Sequence, residues 1–246
     1  MNKVKQVIAL AVVAVFTATA AFAQTNKTSL IQNGNSVTAL NSSVGVGYQN
    51  YNVDRGVITK DQSAFADISL KAPAFAGFDA LADIKYVASN SKTEQVNITP
   101  GIGTDVKIGE FDQYVSATFT KRINSPLENL EADLNVRFTH IPVPYLNSLF
   151  TPTVTLAKTW QTENKGIIVG GDRSDTFAVF GKDFYLDTAV KYGHFDNYSY
   201  VEGIATLSTK LVGKVYASTG VDYVKDVNGA GFSKNVPFFG ALSVKF

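Results

Sequence analysis

The chain of 246 residues contains no cysteine and only two histidines. Without cysteine, neither disulfide bonds nor a lipid-modified amino terminus is available, so a chain that folds outside the cytoplasm relies on core or membrane burial. Two distant histidines without cysteine also disfavour a zinc site. The net charge is +1, whereas nucleic-acid binding needs a clustered basic face. We therefore expect no metal, no cofactor and no nucleic-acid partner, and we do not expect an enzyme.

Long apolar runs are missing as well, except at the amino terminus. No later segment reaches the 18 or so apolar residues of a transmembrane helix, and the mean hydropathy is +0.04. At the start, Lys3 and Lys5 precede an uncharged, mostly apolar run, which ends at Ala21-Phe22-Ala23. A membrane-anchoring helix is the alternative, but the run is short and a small-residue cleavage site follows at once. The pattern predicts a cleaved signal peptide at 1–23.

Aromatic and glycine residues are plentiful, with 17 Phe, 11 Tyr and 19 Gly. Together with weak overall hydropathy, they favour an all-β transmembrane antiparallel up-and-down β-barrel that is apolar outside and polar inside. The alternating segments are long enough for membrane strands, which need about 9–11 residues. We predict twelve strands, with ten or fourteen as alternatives, near 42–51, 63–71, 78–88, 96–108, 112–123, 130–140, 151–161, 166–180, 184–194, 199–211, 214–224 and 235–246.

The eighth of these strands has the weakest pattern. The run Gly170-Gly171-Asp172-Arg173-Ser174-Asp175 interrupts it, and its two faces cannot be separated. The sequence allows either a short strand after a long loop or a bulged strand. The connections Gly109-Glu110-Phe111, Gly181-Lys182-Asp183 and Val212-Gly213 predict tight turns, which we assign to the periplasm. The segment 140–150 contains two prolines and suggests a small periplasmic lid.

Near the carboxy terminus, every second residue is apolar or glycine, namely Phe238, Gly240, Leu242, Val244 and Phe246. The residues between them are of mixed polarity. This segment resembles the terminal strand of bacterial outer-membrane β-barrels, where a final Phe is the assembly signal. The resemblance implies a Gram-negative cell outer membrane, contact with outer-membrane lipid and recognition by the barrel-assembly machinery. It gives a leader segment at 24–41 and the barrel at 42–246.

The first strand and its loop carry a second, shorter resemblance. Tyr51 to Gly56 reads Tyr-Asn-Val-Asp-Arg-Gly and resembles the Tyr-x-x-x-Arg-Gly element of the TorF-type putative porins, which implies a porin-like barrel. Asp54 stands where that family usually has an aromatic residue. Arg55 is a pore-mouth candidate for gating anions, or it belongs to a simple turn with Gly56, since glycine permits positive φ.

Aromatic residues also fall at the predicted strand ends, in the lipid-facing phase. Amphipathic rings settle at headgroup depth, so the pattern predicts two girdles. The inner girdle is predicted to hold Phe78, Phe138, Phe184 and Phe246, and the outer girdle Tyr48, Tyr86, Trp160, Tyr192 and Tyr223.

The opposite phase carries charges of both signs, which predict the lining of a lumen. The candidate pore-lining residues are Asp67, Asp83, Lys85, Asp133, Arg137, Asp187, Lys191, Glu202 and Asp222. These charges indicate either a salt-bridged interior in a closed barrel, or a water-filled path whose acidic outer half favours cations. A twelve-stranded barrel is wider than the side-chain-filled eight-stranded ones and narrower than sixteen-stranded porins.

The sequence thus favours transport, namely passive diffusion of small hydrophilic solutes or ions through an outer-membrane porin or ion channel. A closed structural or adhesive barrel with partner-binding outer loops is the alternative. A third class, an outer-membrane hydrolase active at the rim, would use His194 beside Asp196. Spacing alone identifies no serine in triad geometry for it. Monomer and trimer are both open.

Overall fold

The computed structural model describes residues 42–54, 57–89, 94–125, 130–142, 149–160, 163–227 and 236–245. The predicted signal peptide and leader, Arg55 and Phe246 lie outside these ranges. Twelve strands form within them. They are β1 (Ser43–Asp54), β2 (Val57–Pro73), β3 (Phe78–Ser89), β4 (Gln95–Ile108), β5 (Phe111–Ile123), β6 (Leu130–His140), β7 (Thr151–Thr159), β8 (Lys165–Val179), β9 (Lys182–Phe195), β10 (Ser199–Val212), β11 (Val215–Asp226) and β12 (Phe238–Lys245).

The strands close into one barrel in which each strand pairs antiparallel with its sequence neighbours. Closure is made by β1 and β12, whose register runs from Ser43 opposite Lys245 to Gln49 opposite Phe239. Because a closed sheet has no free edge, every strand has two hydrogen-bonding partners. The prediction of a twelve-stranded all-β barrel is confirmed, and ten or fourteen strands are excluded.

Alternation along each strand separates the two faces of the wall. In β4, Ile98 and Ile102 are exposed on the outer surface, while Asn97 and Thr99 line the interior. Successive side chains of a strand point to opposite faces, so a period of two in the sequence yields an apolar exterior and a polar interior. Among the described residues, no helix is both long and apolar enough to cross a membrane.

Strand β8 departs from both sequence-based expectations. It runs without interruption over Lys165–Val179, and its registers with β7 and β9 contain no bulge. Its glycines mark close approaches: a Cβ on Gly170 would meet the backbone of β9, and one on Gly171 would meet the ring of Phe150. Glycine inside a strand commonly has this role. The predictions of a short strand after a long loop and of a bulged strand are therefore wrong.

The β8–β9 hairpin also extends beyond its neighbour. Thr151, the first residue of β7, pairs with Asp172, whereas the pairing of β8 with β9 continues to Val179 opposite Lys182. Gly181 closes this hairpin at φ +73° and Gly109 closes β4–β5 at φ +62°, a region that L-residues with a Cβ rarely adopt. The predicted lid at 140–150 lies partly outside the described residues.

Candidate functional site

The inward side chains line two cavities inside the barrel. One has a volume of about 550 Å³ and is bounded by residues of β3 to β10. The other has about 470 Å³ and lies toward the tight turns, between residues that include Lys71, Asp105 and Thr206. We call them the outer and the inner cavity. Their volumes are in the range of small-molecule sites, so the interior of this barrel contains open space.

Charges of both signs line the outer cavity. Asp83, Lys85, Lys191 and Glu202 all contribute to it. Lys191 lies 3.8 Å from Glu202, the Lys85 ammonium donates to the Asn52 amide oxygen at 2.7 Å, and Ser69 donates to Asp83 at 2.5 Å. Basic and acidic groups are therefore interleaved around the wall, with short polar links between adjacent strands.

The structure places the predicted pore-lining residues as follows. Lining the outer cavity are Asp83, Lys85, Arg137, Lys191 and Glu202; Arg137 and Asp187 line the inner cavity. Asp67, Asp133 and Asp222 share the inward phase of their strands but are not among the lining residues of these two cavities. Asp67 instead packs against Gly45, where a Cβ would meet its carboxylate. The pore-mouth candidate, Arg55, lies outside the described residues.

The outward candidates lie on the opposite face. Tyr48, Trp160, Tyr192 and Tyr223 of the predicted outer girdle are exposed, and Tyr86 is half-buried. Within the terminal strand, Phe238 and Leu242 are exposed and Val244 is half-buried. These positions keep large apolar surface on the outside of the wall, which a barrel in water would leave uncovered.

Sequence reasoning missed two residues that lie between the cavities. Tyr114 and Asp172 line both of them, as does Arg137. Arg137 donates to the two carboxylate oxygens of Asp172 at 2.8 and 2.6 Å, in the bidentate geometry that makes such pairs specific. The pair reaches from β6 to β8 across β7. The interrupted pattern of β8 concealed the face on which Asp172 lies.

Tyr114 lies on β5, directly opposite Arg137 of β6 in the strand register. Its ring lies 4.3 Å below the Lys71 ammonium, and its hydroxyl donates to the Asp79 carboxylate at 3.2 Å. Lys71 and Asp79 are themselves paired at 2.9 Å. Two polar groups therefore lie side by side on the inner wall: Lys71, Asp79 and Tyr114 on β2, β3 and β5, and Arg137 with Asp172 on β6 and β8.

Another part of the wall is closely packed, although Arg122, Ile168 and Tyr200 also border the outer cavity. Arg122 and Glu131 pair at 3.0 Å with side chains only 3% exposed. Near the β9–β10 connection, Phe195 and Tyr198 stack with ring centroids 4.9 Å apart. Tyr200 completes this aromatic cluster at 6.5 Å from Phe195, against Ala157 and Ile168. The cluster packs inside the barrel in the manner of a soluble protein core.

Glycines on neighbouring strands accommodate the inward rings. A Cβ added to Gly193 would meet the Tyr200 ring, and one added to Gly103 would meet the Tyr114 ring. The same relation joins Gly47 to Phe65, Gly166 to Phe195 and Gly220 to Phe239. Each ring thus lies against backbone and occupies less of the lumen than it otherwise would.

The residues of the hydrolase hypothesis form a hydrogen bond without an accessible nucleophile. His194 Nδ1 lies 2.7 Å from Ser199 Oγ, but Ser199 is fully buried. The Asp196 carboxylate accepts the backbone N–H of Lys165 at 2.9 Å, which fixes the start of β8. Among the described residues, no group of three or more metal-ligating side chains is placed to hold an ion.

Neither a protein-family model nor a curated protein matches this sequence. Solved structures do match over most of its length. The chain aligns with the KdgM porin at a TM-score of 0.51 and 8% identity, covering 83% of this chain and 99% of that one. The fold is porin-like. The likeness to TorF-type putative porins is not confirmed.

Two further structures match the porin-like barrel. KdgM porin in complex with disordered oligogalacturonate aligns at a TM-score of 0.50 and 10% identity, covering 83% of this chain and 99% of that one. The COG4313 outer membrane channel from Pseudomonas putida F1 aligns at 0.47 and 9% identity, over 88% and 100% of the two chains. At such low identity the likeness concerns the fold, so the cargo is argued from this chain's own residues.

Proposed function

We propose that the protein is an outer-membrane porin-like channel for passive diffusion of small hydrophilic solutes or ions. In this proposal, residues 1–23 are a cleaved signal peptide that directs export. The observation that carries the proposal is a pair of cavities, of about 550 and 470 Å³, whose linings include charged side chains of both signs, inside a barrel whose outer face is apolar. Transport then needs no cofactor and no covalent chemistry.

The exterior supports placement in a membrane. Exposed outward residues such as Ile102, Leu156 and Val190 would face lipid, which removes their surface from water. Tyr48 and Trp160 are exposed on the same face, and amphipathic rings favour the headgroup region. The partners in this proposal are outer-membrane lipid, the barrel-assembly machinery and the transported solute.

The lining of the lumen supports passive diffusion with only a weak preference for ions of one sign. Its lining carries acidic residues such as Asp83 and Glu202 beside basic residues such as Lys85 and Lys191. Fixed charges in a pore act on ion entry, while bound states must stay weak enough for ions to leave. Alternating signs lower the net field, so we expect small solutes to pass without a dedicated tight-binding site.

A closed structural or adhesive barrel is the second candidate, and one observation favours it. The aromatic cluster of Phe195, Tyr198 and Tyr200 fills part of the interior with apolar side chains, and the side chains of the Arg122–Glu131 pair on β5 and β6 are only 3% exposed. If loops close the remaining space, the inward charges would serve only to stabilise the wall.

Single-channel conductance separates these candidates. Residues 24–246 would be refolded, checked for heat-modifiable migration on a gel, and placed in a planar bilayer across a salt gradient. Stable conductance steps with a defined reversal potential are expected. A folded, heat-modifiable barrel that never conducts would refute the channel and favour the closed barrel. His194→Ala should leave the conductance unchanged, because the His194–Ser199 hydrogen bond lies outside both cavities.

A further inference from the structure

We propose that five side chains form the constriction that sets the ion preference of the lumen: Lys71, Asp79, Tyr114, Arg137 and Asp172. We call them the polar arc. The inference rests on the proposed channel function and names the part of the lumen that discriminates between solutes. By its charge balance, the arc favours neutral and zwitterionic hydrophilic solutes.

The position of the arc is the first argument. Tyr114, Arg137 and Asp172 contribute to the walls of both cavities, and Lys71 lines the inner one. A solute that passes from one cavity to the other therefore moves along these side chains.

The rigidity of the arc is the second argument. Each member is fixed by another: Lys71 by Asp79 at 2.9 Å, Tyr114 by Asp79 at 3.2 Å, and Arg137 by Asp172 through two hydrogen bonds. The Tyr114 ring also lies against Gly103, which has no Cβ to displace it. Side chains held in this way present a fixed pattern of charges, which is the requirement for a selective constriction.

The charge of the arc is the third argument. Two cations and two carboxylates are paired within it, so their fields largely cancel. Lys71, Arg137 and Asp172 line the cavities and their side chains are 24%, 29% and 27% exposed. Asp79 is 19% exposed and acts through its contacts with Lys71 and Tyr114. A passing ion therefore meets both signs at close range, and neither anions nor cations are strongly preferred. Removing one charged partner would unbalance the charge of the arc.

Two variants that remove the opposite charges of the same ion pair test this proposal. Asp172→Asn leaves Arg137 uncompensated and should shift the reversal potential in a salt gradient toward anion selectivity. Arg137→Gln leaves Asp172 uncompensated and should shift it toward cation selectivity. Glu110→Gln is the control, because Glu110 is an exposed residue of the β4–β5 turn and does not line either cavity. Its reversal potential should equal that of the wild type.

The wild-type recording separates this inference from the proposed function. A wild-type barrel that does not conduct refutes the channel itself. If the wild type conducts but the reversal potentials of the two variants do not shift, or shift in the same direction, the polar arc is refuted. The proposed channel function is then unaffected. If Arg137→Gln does not fold, Lys71→Gln replaces it, because it leaves Asp79 uncompensated and should also shift selectivity toward cations.

Discussion

Two arginine–carboxylate pairs lie inside the same barrel wall and differ in their contact with water. The side chains of Arg122 and Glu131 are 3% exposed, whereas those of Arg137 and Asp172 are 29% and 27% exposed. Both pairs have short distances, 3.0 and 2.6 Å. Desolvated charges depend wholly on their partner, while solvated ones are screened by water. The dry pair therefore acts mainly on the stability of the wall, although Arg122 borders the outer cavity, and the more exposed wet pair is available to ions in the lumen.

The same contrast holds for aromatic rings. Tyr200 is 1% exposed, packs within an apolar cluster and borders the outer cavity alone, whereas Tyr114 is 8% exposed, borders both cavities and holds a carboxylate through its hydroxyl. Both rings thus pack against a glycine of the adjacent strand. They differ in their other contacts, which are apolar for Tyr200 and charged for Tyr114.

The largest expected effect comes from breaking the dry pair. Glu131→Gln removes the carboxylate that pairs with the buried Arg122 guanidinium, and removing one partner of a buried pair costs about 3–5 kcal/mol. We expect a loss of that size in the free energy of unfolding, measured by urea titration of the refolded barrel. Glu110→Gln, the same substitution at an exposed turn position, should be neutral. A Glu131→Gln barrel as stable as the control would contradict the distinction between the two pairs.

An intermediate effect is expected from Gly193→Ala in the packed region. The new methyl group would meet the Tyr200 ring, which is closely packed, so the cost should be about 1–3 kcal/mol of unfolding free energy, as for other overpacked cores. Gly203→Ala is the matched control, because a Cβ there meets nothing within 4 Å. Equal stability of the two variants would show that the aromatic cluster is loosely packed.

The smallest expected effect on stability comes from breaking the wet pair. Asp172→Asn removes a charge that water already screens, so the free energy of unfolding should fall by about 1 kcal/mol or less. The same variant should shift the reversal potential, which Glu110→Gln at the exposed β4–β5 turn should not do. A large loss of stability in Asp172→Asn would place this pair with the dry one and remove its special role in the lumen.

Much of the fold follows from local sequence periodicity. Strand β4 was predicted at 96–108 and is observed at Gln95–Ile108, and β6 was predicted at 130–140 and is observed at Leu130–His140. Both strands have uninterrupted alternation, and side-chain direction in a strand is fixed by the backbone itself. Five predicted pore-lining residues lie around the outer cavity for the same reason.

The failures occur where long-range contacts decide the structure. Gly170 and Gly171 suggested an interruption of β8, but they are required by close approaches of β9 and of Phe150. As a result, the sequence did not show which face of β8 carries Asp172. Tyr114 was overlooked as an inward residue because Gly103, against which its ring packs, becomes its neighbour only through the pairing of β4 with β5.

The sequence by itself indicated an up-and-down barrel of about twelve strands and the polarity of the two faces in the regular strands, because these depend on an alternation that each strand carries locally. Closure of the barrel excluded ten and fourteen strands. The tertiary structure decided which charges pair, which rings meet glycines and which part of the interior is dry. These features depend on register between strands, as in the bridge from Arg137 on β6 to Asp172 on β8. Register is set by contacts among residues far apart in the chain, and no local pattern contains it.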